Sequence, residues 1–380
     1  MKLPIVASIV SALLLSTAPV VAQSAPPLPL DRAASLSEPV LNALLPKNWS
    51  FLRVGTWNTM LRTWQPYESK VIKAVGKTNF DVLALQSVWS EGAKNAILAD
   101  RDVKAKYKHH FWIPPSTVAA ECSSIVPFTD QASFINCYQQ NEIDTQTIVQ
   151  PEVPVPFSCT LFGLNIALLS QPCLDCLIST MEGLPSEDPL SSIQICAAGN
   201  GVKYTSGGTP GLLILSKKPL QNVQTVSFPT SLQAAANVYA TVNNVRLAFS
   251  TFPKNTLEEI DPILGELQDG ALQDDFAEDL LLKKPKLALG TFNSGADYQP
   301  EGSQLLKQNN YKPLYNKPTY CPAKTHARFP PCTVAFAPEP RSIDDIYVSK
   351  SGVFCLTSTF AEEAVSDHIG VSAICLVNTK

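Results

Sequence analysis

Five stretches of this chain set polar side chains at the ends of apolar runs. Arg53-Val-Gly-Thr-Trp-Asn58 ends on an amide, and Leu83-Ala-Leu-Gln-Ser-Val-Trp89 turns polar at Gln86 and Ser87. Lys286-Leu-Ala-Leu-Gly-Thr-Phe-Asn293 ends on a second amide, with Thr291 two residues before it. Ser342-Ile-Asp-Asp-Ile-Tyr-Val348 carries Asp344, and Val365-Ser-Asp-His-Ile-Gly-Val371 sets Asp367 beside His368. Imidazoles and carboxylates are the groups that move protons near neutral pH, and amides bind anionic oxygens. For these residues to act together, the five stretches must deliver them from strand ends into one cleft.

Three other clusters are less suited to chemistry. Cys173-Leu-Asp-Cys176 has the spacing of half a zinc site but no clear second pair, so disulfide bonding is the reading. His109-His110 follows Lys104, Lys106 and Lys108 and reads as a solvated helix end running into a strand. Lys217-Lys218 either faces phosphate near the cleft or is the polar end of a strand.

The elements around these residues are legible in part. Leu52 to Trp57 reads as a first strand, and Pro66 can open a helix whose inward stripe is Val71, Ile72 and Val75. Phe80 to Gln86 is nearly all apolar, as expected of a strand covered on both faces. Ser90 caps a helix through about Lys104. Order returns at Pro210 to Lys217, and Val238 to Val242 pairs with Val245 to Thr251 across Asn243-Asn244. Asn255 to Leu282 reads as mostly helical with a break or restart at Asp261-Pro262. Leu287 to Phe292, Ser342 to Val348 and Gly370 to Val377 complete the strands. Strands alternate with helices and hairpins, which suggests two mixed sheets packed together with helices outside.

Composition limits the classes available. The chain has 380 residues, 45% of them hydrophobic, with 29 basic against 33 acidic side chains and a net charge of −4. That balance argues against a partner held by its phosphate backbone, so nucleic acid is disfavoured. Residues 1–22 read as a secretory signal: Lys2, an apolar run from Ile5 to Leu15, and Val20-Val21-Ala22. The apolar run is too short for a membrane span, and a secreted, extracellular protein without a transmembrane segment is expected. Residues 23–47 are a Pro- and Ala-rich leader, and 48–380 form one domain. Ten cysteines with a signal peptide imply disulfides. Six lie between Cys122 and Cys196, inside an irregular insertion at about residues 113–205. The other four suggest Cys321 with Cys332 and Cys355 with Cys375, the latter if Val353-Phe-Cys-Leu and Ala373-Ile-Cys-Leu are neighbouring strands.

Taken together, the polar-ended stretches resemble the signature of the endonuclease/exonuclease/phosphatase superfamily. This metal-dependent phosphodiesterase fold is shared by pancreatic deoxyribonuclease and the bacterial sphingomyelinases. Gly211-Leu-Leu-Ile-Leu-Ser-Lys-Lys-Pro-Leu220 is similar to a motif frequent in sphingomyelinase-like members. The resemblance implies an α+β chain, a four-layer α/β sandwich of two mixed sheets face to face with helices outside, plus the disulfide-rich insertion. In that family a glutamate-held magnesium ion polarises the phosphoryl oxygen, an Asp orients water, and a His paired with a buried Asp stabilises the developing charge. The matching positions here are Asn58, Asn293, Asp344, Asp367 and His368.

Three positions depart from the pattern. Ser87 stands where the family has its metal-binding Glu, Thr291 where Gly-Asp-Phe-Asn has its Asp, and Phe252 where Thr-His-Leu has its His. A serine hydroxyl is a poor magnesium ligand, a threonine is no general base near neutral pH, and a phenylalanine carries neither proton nor charge. Glu91 and Asp297 are the nearby carboxylates with the chemistry to substitute. The expectation is a secreted relative with a degraded centre, a binding or structural protein needing no cofactor. The alternative is an active, magnesium-dependent phosphodiesterase acting on lipid headgroups. A phosphate ester or lipid headgroup is the candidate ligand class, and the sequence does not name the ligand.

Overall fold

The computed structural model describes residues 48–61, 68–88, 91–113, 211–228, 235–251, 262–295, 301–320, 340–361, 366 and 368–379. The insertion, Phe252, Asp297, Asp367 and the proposed Cys321–Cys332 bridge lie outside them.

In chain order the elements are β1 (Trp49–Leu61), α1 (Glu68–Lys77), β2 (Val82–Val88), α2 (Glu91–Ala99), α3 (Arg101–Lys106), β3 (His109–Trp112) and β4 (Leu213–Ser216). The second half contains β5 (Gln221–Phe228), β6 (Ala235–Val242), β7 (Val245–Thr251), α4 (Pro262–Lys283), β8 (Leu287–Thr291) and α5 (Glu301–Gln308). It closes with β9 (Tyr311–Pro313), β10 (Asp344–Ser349), β11 (Val353–Phe360) and β12 (Gly370–Asn378). Among the described residues, twelve strands form two six-stranded sheets, ordered β11-β12-β1-β2-β4-β3 and β5-β6-β7-β8-β10-β9. Both are mixed: β1 runs parallel to β2 and β7 parallel to β8, while the other neighbours are antiparallel.

Side-chain alternation along each strand explains the layering. Leu52 and Val54 of β1, Val82 and Ala84 of β2, Leu247 and Phe249 of β7, and Leu287 and Leu289 of β8 share one buried cluster between the sheets. The residues one step out of phase turn to the helices. Trp57, Leu83 and Leu85 pack with Val71, Val75, Ile97 and Val103 of α1 to α3. Tyr239, Ala248 and Ala288 pack with Phe276, Ala277 and Leu280 of α4. Asn58, Gln86, Thr251, Thr291 and Asp344 continue the inward-facing phase to the strand ends. Their polarity is therefore aimed between the sheets at one end of the sandwich.

At the opposite end Asn243 and Asn244 adopt φ of 49° and 62°, the left-handed pair that a two-residue hairpin needs. Gly290 is required on β8, because a Cβ there would meet Ser250 O of β7 at 1.9 Å. Cys355 and Cys375 face each other across β11 and β12 and are bonded, as the two-strand expectation requires.

Other expectations needed revision. The helix drawn from Ser90 to about Lys104 is two helices, because Asp100 leaves the helix and its carboxylate accepts from Asp102 N and Val103 N at 3.0 Å. β1 extends beyond Leu52 to Trp57 on both sides. β5 was not foreseen: it is a largely exposed edge strand, so its sequence lacks an apolar period. No helix among the described residues is long and apolar enough to cross a membrane.

Candidate functional site

The polar end of the sandwich is built by four strand ends and two connecting segments. On the β8 side, Thr291 is registered beside Asp344 of β10. Thr291 Oγ1 donates to Asp344 Oδ1 at 2.6 Å, and Asp344 Oδ2 lies 2.6 Å from His368 Nδ1. Both Asp344 and His368 are buried. With Nδ1 facing the carboxylate, Asp344 fixes the orientation of the imidazole. The dyad spans the two sheets, since Asp344 opens β10 and His368 lies two residues before β12.

Short segments clasp the dyad in place. Asp344 N donates to Thr319 Oγ1 at 3.0 Å, and Ile369 N donates to Thr319 O at 3.0 Å. Tyr320 bridges both Arg341 and His368, and its ring lies 4.9 Å from the imidazole. From the other sheet Trp57 Nε1 donates to His368 O at 3.0 Å, while Ser366 Oγ donates to Asn58 O at 2.9 Å. His368 N in turn donates to Ser366 Oγ at 3.2 Å.

Asn58 is registered beside Gln86, at the end of the parallel β1–β2 pair. Gln86 is committed to its neighbours: its amide donates to Thr56 Oγ1, and its carbonyl accepts from Thr59 Oγ1. Ser87 follows with φ of 60°, and Asn293 has φ of 44°. Asn tolerates the left-handed region better than Ser, so Ser87 is the more strained of the two. Gln273 of α4 holds the backbone of Asn293, donating from Nε2 to its carbonyl at 3.0 Å.

Of the expected site residues, the structure brings Asn58, Asn293, Asp344 and His368 to one end. Asp367 and Phe252 lie outside the described residues. Ser87 and Thr291 occupy strand-end positions as expected, but Thr291 is more than a missing acid: it donates a hydrogen bond to the dyad carboxylate. Sequence reasoning missed Thr319, Tyr320 and Ser366, which sit in connections with no periodicity.

Lys217-Lys218 belongs to the far end. Lys217 follows β4 beside the start of β2 and pairs with Asp81 at 3.3 Å, so the polar-strand-end reading holds. Glu91 does not replace the lost acid. Its side chain is 70% exposed on α2 and paired with Lys94. Asp345 alternates to the outer face and accepts backbone N–H groups from Leu314, Tyr315, Asn316 and Ile346. Burial pushes its carboxyl up despite those donors.

The superfamily that the sequence resembles uses magnesium, and the donors described do not fit it. Magnesium demands near-octahedral oxygen ligands with one or two carboxylates. Asp344 has each oxygen engaged at 2.6 Å, and Ser87, Asn58 and Asn293 offer only neutral atoms. Among the described residues no group of three or more His, Cys, Asp or Glu could hold a metal ion.

No protein-family model matches the chain. No curated protein matches it either. Solved structures are similar in shape only. Beta toxin from Staphylococcus aureus is 13% identical, covering 85% of this chain and 99% of its own, with a TM-score of 0.46. Sphingomyelinase C from Streptomyces griseocarneus is 12% identical, covering 86% and 99%, with a TM-score of 0.42. A mutant beta toxin crystallised with magnesium ions is 14% identical, covering 86% and 99%, with a TM-score of 0.45. The topology and the placement of the motif residues at one end carry the assignment. The fold is endonuclease/exonuclease/phosphatase-like.

Proposed function

We propose that this is a secreted phosphate-ester-binding protein that keeps the phosphodiesterase scaffold without its metal-dependent hydrolysis. The observation that carries this reading is the closed chain Thr291–Asp344–His368, in which both oxygens of the dyad carboxylate are taken. The family's Asp at the Thr291 position would face Asp344 as a like charge, whereas the hydroxyl donates to it. With Ser87 in place of the metal-binding Glu, the described residues at this end are an imidazole, its paired carboxylate and neutral amides. These groups can hold an anionic phosphoryl oxygen but cannot generate a metal-activated nucleophile. This donor set supports a phosphate ester as the ligand class.

One observation favours an active phosphodiesterase instead. The Asp344–His368 pair is retained at 2.6 Å with both side chains buried, a costly arrangement for a framework with no further use for it. Turnover separates the readings. Magnesium would be titrated calorimetrically into the purified protein and into Ser87→Glu/Thr291→Asp, and both assayed on sphingomyelin and a chromogenic phosphodiester. The expected result is no magnesium-dependent turnover by the unmodified protein. Turnover that is abolished in His368→Ala would overturn the non-hydrolytic reading.

A further inference from the structure

The end of the sandwich that holds the dyad also holds two buried hydroxyls without hydrogen-bond partners, Tyr320 Oη and Thr251 Oγ1. Tyr320 is 4% exposed, and its ring lies on the His368 imidazole with the planes at 52°. Its backbone is fully occupied: N–H donates to Arg341 O at 3.0 Å, and its carbonyl accepts from Arg341 N–H at 3.2 Å. A phenylalanine would make the same ring contact without enclosing a lone hydroxyl, so the oxygen adds nothing to the free protein and costs it stability. Thr251 ends β7 in register with Thr291, which is itself beside Asp344. The two orphan hydroxyls therefore occur at the same end of the cleft, and a ligand there would give them the partner they lack.

We propose that Tyr320 is a ligand-binding residue of this cleft, with Oη donating to a phosphoryl oxygen held against His368 and Thr251 Oγ1 acting as a second donor. This rests on the phosphate-ester reading above. Oη is closed off in the free form, so the contact forms as the ring shifts on ligand entry. Binding then exchanges an unmade hydrogen bond for a charge-assisted one, the kind that gives the larger gain.

Tyr320→Phe keeps the tilted ring contact with His368 and removes one oxygen, and Thr251→Val is its near-isosteric counterpart. Melting temperature without ligand is measured first. Calorimetric binding of inorganic phosphate and phosphocholine and flotation with sphingomyelin vesicles follow. Tyr320→Phe is expected to melt higher than the unmodified protein and to bind phosphocholine about tenfold more weakly, with Thr251→Val about threefold weaker. Vesicle binding that falls in step supports the contact with a membrane lipid headgroup as its source. Weakened binding of the soluble probes with no vesicle binding supports it with a free phosphate ester. The proposal is overturned if Tyr320→Phe binds as tightly as the unmodified protein, if it melts lower, or if the unmodified protein binds none of the phosphate probes. Hydrolysis of a phosphodiester would instead overturn the non-catalytic reading and leave the tyrosine–phenylalanine binding comparison standing.

Discussion

The two ends of the sandwich are built on opposite terms. At the hairpin end Asn243 and Asn244 suit the left-handed turn they take, and Lys284 at φ 48°, which closes helix α4, is the exception. That end is tied down by Ser50 Oγ donating to Asn243 O, by Thr379 Oγ1 donating to Asn48 O, and by the Cys355–Cys375 bond nearby. At the cleft end, Ser87 at φ 60° and Ala361 at φ 57° hold a backbone that their side chains disfavour. A buried carboxylate–imidazole pair and two unpartnered hydroxyls sit beside them. Most of the strain and unmet polarity of a well-packed framework thus lies at the end where the proposed ligand would bind.

Four perturbations test that contrast. The largest effect is expected from Asp344→Ala, which strands His368 Nδ1 and the Thr291 hydroxyl in a buried site. A loss of about 4 kcal/mol in unfolding free energy is expected by urea titration. A loss under about 1 kcal/mol would show that the dyad is solvated and the contrast false. At the other end, Cys355→Ala/Cys375→Ala opens a 20-residue separation and should cost about 3 kcal/mol, again read by urea titration. Thr291→Asp sets a second carboxylate against Asp344 and should cost about 2 kcal/mol at neutral pH. Its sign with pH is specific. One carboxyl of that pair has a raised folded-state pKa, so the folded variant binds an extra proton as pH falls and its deficit shrinks in acid. Equal deficits at pH 4 and pH 7 would refute this account. The smallest effect is a gain: Ser87→Gly should stabilise by about 0.5 kcal/mol through relief of the positive φ, visible as a higher melting temperature.

Much of this contrast could be read from the chain before the structure. The strands that deliver Asn58, Asn293 and Asp344 are short apolar runs with a polar last or first residue, and that pattern survives single-sequence reading. Asn243-Asn244 is a local signal for its hairpin, and the Cys355–Cys375 pairing followed from two similar strand-like segments. What stayed hidden depends on long-range contact. Thr319 and Tyr320 reach Asp344, Arg341 and His368 through bridges that leave no periodic trace. The partnership of Thr291 with Asp344 joins residues 53 positions apart, so its threonine reads as a bare loss until the two strands are aligned. β5 escaped because an edge strand facing solvent needs no apolar face.

The place of β12 has a consequence for how this protein comes into being. β12 lies between β11 and β1, pairing Trp49 to Thr56 with residues 371–378. During synthesis β1 therefore emerges some three hundred residues before its neighbour on that side exists. Until β12 has been made, that flank of β1 stays open and the imidazole just before β12 cannot meet its carboxylate. Completion of the sheet is a late, non-local event, the kind that makes folding slow and leaves nascent strands in need of shelter.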